Sequence, residues 1–128
     1  MVEELLELHK NSYVPISNFP VSSIIVMKDG TKFPGVNIED ASTRAGTCAE
    51  RSAISGAISA GYKKGDFKEI HVMVSSGKIG TPCFVCRQLL LEFFDLEDNI
   101  YCYQTDGKYE VFKLKELCPH PFGEEDLK

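Results

Sequence analysis

Two short stretches hold the residues best suited to chemistry: Thr47-Cys48-Ala49-Glu50-Arg51 and Thr81-Pro82-Cys83-Phe84-Val85-Cys86-Arg87-Gln88. Three thiols and one carboxylate are the set needed to hold a zinc ion by three protein ligands, leave its fourth position free and keep a proton carrier beside it. Cys83 and Cys86 are three apart, which puts both sulfurs on one side of a first helical turn, and Pro82 suits the point where a helix begins. Cys48 and Glu50 are two apart and share no helix face, so both address one metal only if Cys48 stands at the entrance of its helix. A helix entrance also favours the ionised thiol. Three thiolates leave Zn²⁺ with an excess of negative charge, and Arg51 and Arg87, each beside a ligand, are the candidate cations to donate hydrogen bonds to the sulfurs. Glu50 is then free to move protons between water and a substrate.

These residues need an ordered frame, and the remaining pattern supplies one. A short helix is expected over Glu3 to Ser12, with Leu5, Leu6 and Leu8 as its apolar content, ending ahead of Pro15. Val21 to Met27 is rich in β-branched residues, and Asp29-Gly30 is a hairpin signal leading to a second strand over Thr31 to Ile38. From Cys48 the period becomes helical through Ala53, Ile54, Ala57 and Ile58, closed by Gly61. Phe67 to Ser75 returns to strand character, and Cys86, Leu89, Leu90, Phe93 and Phe94 repeat the helical pattern. Strands are expected again at Asn99 to Tyr103 and near Tyr109 to Phe112, around a turn at Asp106-Gly107. Lys113 to Leu117 suits one or two helical turns, Cys118 to Phe122 an extended path, and the polar Glu124 to Lys128 a loosely held end. Strands alternating with helices predict an α/β sheet covered by helices.

Composition narrows the function. At 128 residues the chain reads as one domain spanning 1–128, large enough for a core and too small for two. A formal charge of -5 and no run of Lys or Arg argue against a nucleic-acid partner and favour a small molecule. An acidic start and the lack of a long apolar run argue against a signal peptide or a membrane span and predict a cytoplasmic protein. In that reducing setting five cysteines are read as ligands and buried thiols, not disulfides.

With Cys-Ala-Glu and Pro-Cys-x-x-Cys in place, the sequence resembles the small, zinc-dependent cytidine deaminases of the homotetrameric type. The resemblance runs from Tyr13 to about Leu127 and includes Ser17 to Val21, Gly35 to Glu39, and Pro119 to Phe122. It implies a three-layer α/β/α domain with a five-stranded mixed sheet, a homotetramer, and hydrolysis of cytidine and deoxycytidine to uridine and deoxyuridine plus ammonia, a step of pyrimidine salvage. It also implies that Asn37 and Glu39 bind the ribose hydroxyl, Phe19 lines the base pocket, Ala49 and Glu50 read the pyrimidine, and Phe122 stacks on the base in a neighbouring subunit. Departures stand at Ser22 and Ser23, where Gly and Ala are usual, at Asp40 and Thr43, where Asn and Tyr are common, and at Phe84 and Val85, where Gly and Ala are usual beside the metal. These leave open a modified cytosine nucleoside or another aminated heterocycle, deaminated or only bound on the same scaffold.

Two plainer readings compete. A closed structural zinc site would take His71, Cys102 or Cys118 as fourth ligand, but leaves Glu50, Asn37 and Glu39 without a role. A thiol exchanger built on Cys83-x-x-Cys86 has no use for Cys48. Cys102 and Cys118 are read as small buried groups, and His9, His71 and His120 as surface or strand residues.

Overall fold

The computed structural model describes residues 1–128. The β-branched run forms β1 (Val21–Met27), which turns through Asp29-Gly30 into β2 (Lys32–Val36). Gly30 takes φ +91°, a conformation that favours glycine, while Asp29 accepts the Thr31 N–H at 2.9 Å. The strands β3 (Phe67–Val74), β4 (Asn99–Gln104) and β5 (Tyr109–Lys113) complete a five-stranded mixed sheet in the order β2-β1-β3-β4-β5. All neighbours run antiparallel except β3 and β4, which are parallel and joined through a helix, as a parallel pair requires.

The sheet is covered on both faces, the α/β/α layering expected. On one face lie α2 (Ala49–Ser59), α3 (Phe84–Phe93) and the short α4 (Leu114–Leu117). They bury Ile25, Ile70, Val72, Ile100 and Cys102 of the sheet against Ala53, Ala57, Leu90, Leu114 and Leu117. On the other face α1 (Val2–His9) sets Leu5 against Ile24, Met73 and Tyr103. Strand alternation explains the division: Ile70 and Val72 point one way, Met73 the other. Helix α2 closes at Gly61, which adopts φ +100° just past the helix end.

Several boundaries differ from expectation. The first helix stops at His9, ahead of Ser12, and the second strand ends at Val36, with Ile38 continuing only as single bridges to Tyr13 and Thr47. Pro34 is accommodated because β2 is an edge strand. Pro82 sits just outside α3, because Cys83 itself takes the cap position. The terminal Glu124–Leu127 forms a 3₁₀ turn in which Asp126 accepts the Gly123 N–H and Lys64 pairs with Glu124 at 3.2 Å.

Candidate metal centre and active site

Cys48 and Cys83 are the N-cap residues of α2 and α3, each with extended backbone, and Cys86 lies buried in the first turn of α3. The sequence folds this way because Cys48 and Pro82-Cys83 each precede a helical apolar pattern. Both helix entrances point at one spot. The three Sγ atoms lie within 4.8 Å of one another, with Cys48 and Cys83 4.0 Å apart. Tetrahedral zinc at Zn–S distances of about 2.3 Å spaces its sulfurs by about 3.8 Å, so this group fits zinc with little movement.

The alternative fourth ligands lie elsewhere. The His71 ring is bonded to Tyr103 and Glu69 on the opposite face of the sheet, and Cys102 and Cys118 are buried outside the sulfur group.

Glu50 follows Cys48 into α2 and is 4% exposed. Burial pushes its carboxyl up to about 7, and a charge on Cys48 adds to the rise. The Cys48 thiol is drawn down to about 5, first by the hydrogen bond from Cys86 and then by Arg51, whose guanidinium donates to Cys48 Sγ at 3.7 Å. The same partnership, with burial, pushes the Cys86 thiol up. Arg87 does not reach sulfur as expected, because its donors go to Pro82 O at 2.7 Å, Leu117 O at 2.8 Å and Thr81 Oγ1 at 2.7 Å.

A cavity of about 440 Å³ opens over the cysteines and Glu50, large enough for a nucleoside-sized molecule. It gathers Phe19, Asn37, Glu39, Ala49 and Glu50 from the expected set; Phe122 lies outside it and is 57% exposed. Asn37 accepts the Val21 N–H at 2.9 Å and donates to Phe19 O at 2.9 Å, so it fixes the Phe19 wall. Glu39 accepts from Ile16 N–H and Ser17 N–H at Oε1, at 3.0 and 3.1 Å, and the Ser17 side chain, followed by these backbone bonds, holds its carboxyl below the usual range. One oxygen of Glu39 and one N–H of Asn37 remain for a ligand. Gly35 lets β2 pass close under α2: a Cβ there would fall on Ala49 O and Ala53 N.

Residues that stand out in the sequence only as departures from the family pattern take structural roles around the cavity. Asp40 accepts from Ser42, Ala45 and Gly46 and so folds the 40–46 loop that brings Thr43 to the cavity at φ +62°. The Asp-x-Ser spacing is the signal that points to it. Ser23, fully buried, donates to Ala49 O at 2.8 Å beneath the Glu50 turn, and Ser22 donates to Leu5 O at 2.9 Å. A serine in a strand carries no comparable signal. Phe84 and Val85 are 77% and 62% exposed and do not line the cavity, so their bulk does not crowd the metal.

Residues 1–102 match the family described as the cytidine and deoxycytidylate deaminase zinc-binding region. The chain is 36% identical to the cytidine deaminase of Mycoplasma genitalium over 122 residues, covering 95% of this chain and 92% of that one. It is 33% identical to the cytidine deaminase of Halalkalibacterium halodurans, covering 99% and 95%. Among solved structures, the cytidine deaminase from Burkholderia pseudomallei superposes with a TM-score of 0.90 at 33% identity, covering 94% of this chain and 95% of that one.

Proposed function

The chain belongs to the cytidine and deoxycytidylate deaminase family, and on that footing we propose that it hydrolyses cytidine and deoxycytidine, with water, to uridine and deoxyuridine plus ammonia. The observation that carries the reading is a buried carboxyl, Glu50, poised near neutral beside three cysteines spaced for zinc. Zinc held by Cys48, Cys83 and Cys86 supplies the Lewis acidity that makes water nucleophilic at neutral pH.

This chain's own residues do the rest. Phe19 and Ala49 flank the pyrimidine, and Asn37 and Glu39 hold the sugar hydroxyl with the donor and acceptor left over from pinning the 16–21 segment. Glu50 takes one proton of the attacking water and delivers it to the ring nitrogen, then takes the remaining proton of the added hydroxyl and delivers it to the amine, so that ammonia leaves as the ring carbonyl forms. A carboxyl that titrates near the working pH is suited to both directions. Arg51 offsets the charge of the sulfurs through its bond to Cys48.

The whole chain acts as a single domain within a homotetramer, in the cytoplasm and in pyrimidine salvage, without a nucleic-acid partner. The exposed Phe122, tethered through its carbonyl by Gln88 at 2.7 Å, supports a role in the cavity of a neighbouring chain. The net charge of -5 supports a small-molecule substrate, and no helix is long and apolar enough to cross a membrane.

Glu50→Gln tests both halves of this reading. The variant is expected to keep fold and zinc and to lose roughly 10²-fold to 10⁴-fold in turnover. Mixing it with a weakened Phe122→Ala protein under conditions of subunit exchange is expected to restore activity, because some sites then pair an intact Glu50 with an intact Phe122. Near-normal turnover of Glu50→Gln would refute the proton role, and a fully active monomer would refute the shared site.

A further inference from the structure

The Arg87 side chain holds two consecutive residues of the loop that leads to Cys83. Its Nε donates to Pro82 O and its Nη2 to Thr81 Oγ1, both at 2.7 Å. Its Nη1 reaches Leu117 O at 2.8 Å, at the end of α4, where Leu117 belongs to the core. The Phe84 ring packs against the guanidinium at 4.3 Å. Cys83 and Thr81 are exposed, and Pro82 is the one buried residue among 81–83.

We propose that Arg87 is the positioning residue of the metal site: it holds the Cys83 loop at the spacing zinc needs, through the fixed fork of its guanidinium and not through its charge. The inference rests on Cys83 being a zinc ligand. Arg51 provides the contrast within the same site, since its guanidinium touches Cys48 Sγ directly and can act by charge. A guanidinium presents its N–H groups in fixed, divergent directions, which suits two acceptors on the loop and a third at the end of α4. A lysine ammonium is a point charge on a flexible stem and cannot reproduce them. Losing the fork also leaves the carbonyls of two buried residues, Pro82 and Leu117, short of a donor.

The test is zinc release from the loaded protein into excess chromophoric chelator. Arg87→Lys and Arg87→Met are both expected to release zinc at least about tenfold faster than the parent, the scale on which outer-shell partners alter metal affinity. Gln88→Ala is expected to match the parent, because Gln88 holds only Phe122 O. Should Arg87→Met fail to fold, Arg87→Lys carries the test, with the thermal midpoint of its zinc-free form showing whether damage is local. Parent-like release from Arg87→Lys would overturn the proposal in favour of charge. Full zinc retention by Cys83→Ala would instead refute the ligand set on which it rests.

Discussion

A carboxyl 4% exposed, with an ionisable thiol two residues away, keeps its proton to about pH 7, and that is what separates Glu50 from the other acids of the chain. Glu39 and Asp40 line the same cavity, yet their hydrogen bonds hold them low, so they stay ionised and bind or shape instead. The cysteines divide by environment too. Cys102 is buried away from the Cys48, Cys83 and Cys86 sulfurs, and burial pushes its thiol up to about 12. Single Cys→Ala variants are therefore expected to divide cleanly: loss at Cys48, Cys83 or Cys86 should strip zinc, while Cys102→Ala and Cys118→Ala should retain about one zinc per chain by elemental analysis. Zinc loss from Cys102→Ala equal to that from Cys48→Ala would break the assignment. Spacing made the three cysteines and Glu50 legible, because Cys-x-Glu and Cys-x-x-Cys tie chemistry to helix geometry. The partners of Arg87 were not legible, since Leu117 O reaches it only through the tertiary fold.

The strands and the two long helices could be read from periodicity because each buries one face. Ends were harder: Ile38 keeps strand character in sequence but has only single bridges once β2 leaves the sheet. The layer under α1 hides a further device that no motif announces. His71 on β3 bonds Tyr103 on β4 at 2.8 Å, meets Glu69 with its other nitrogen and stacks on Tyr101 at 4.3 Å. Glu69 favours the protonated ring, while the N-terminal ammonium and Lys32 oppose it, and burial dominates by holding His71 below its usual value. For a histidine depressed in the folded state, its contribution to stability is full above the unfolded value of about 6.5 and is lost as pH falls through the folded value. Chemical unfolding at pH 7 and pH 5 should therefore show a larger loss for the parent than for His71→Gln, the zinc site titrating equally in both. Equal losses would remove His71 as the cause.

At the scale of the whole molecule, one end of the sheet gathers the Cys48, Cys83 and Cys86 sulfurs, Glu50 and the cavity over them. The start of β1, the end of β3 and the entrances of α2 and α3 meet there, where two helix dipoles favour anionic sulfur. Phe84 and Phe122 stay exposed beside the metal-bearing turn of α3, surface that a neighbouring chain covers in the homotetramer proposed above. The chain carries a formal charge of -5, and Asn37, Glu39 and Asp40 line the cavity where the sugar hydroxyl is proposed to bind. The central claim is tested most directly by ammonia release from the zinc-loaded protein given cytidine, deoxycytidine and free cytosine in parallel. Both nucleosides should be turned over, and cytosine should lag by up to roughly 10⁴-fold to 10⁵-fold, because a site built to bond a hydroxyl discriminates against a ligand that lacks one. Faster release from cytosine than from either nucleoside, or turnover of a purine with none from any cytosine compound, would contradict it.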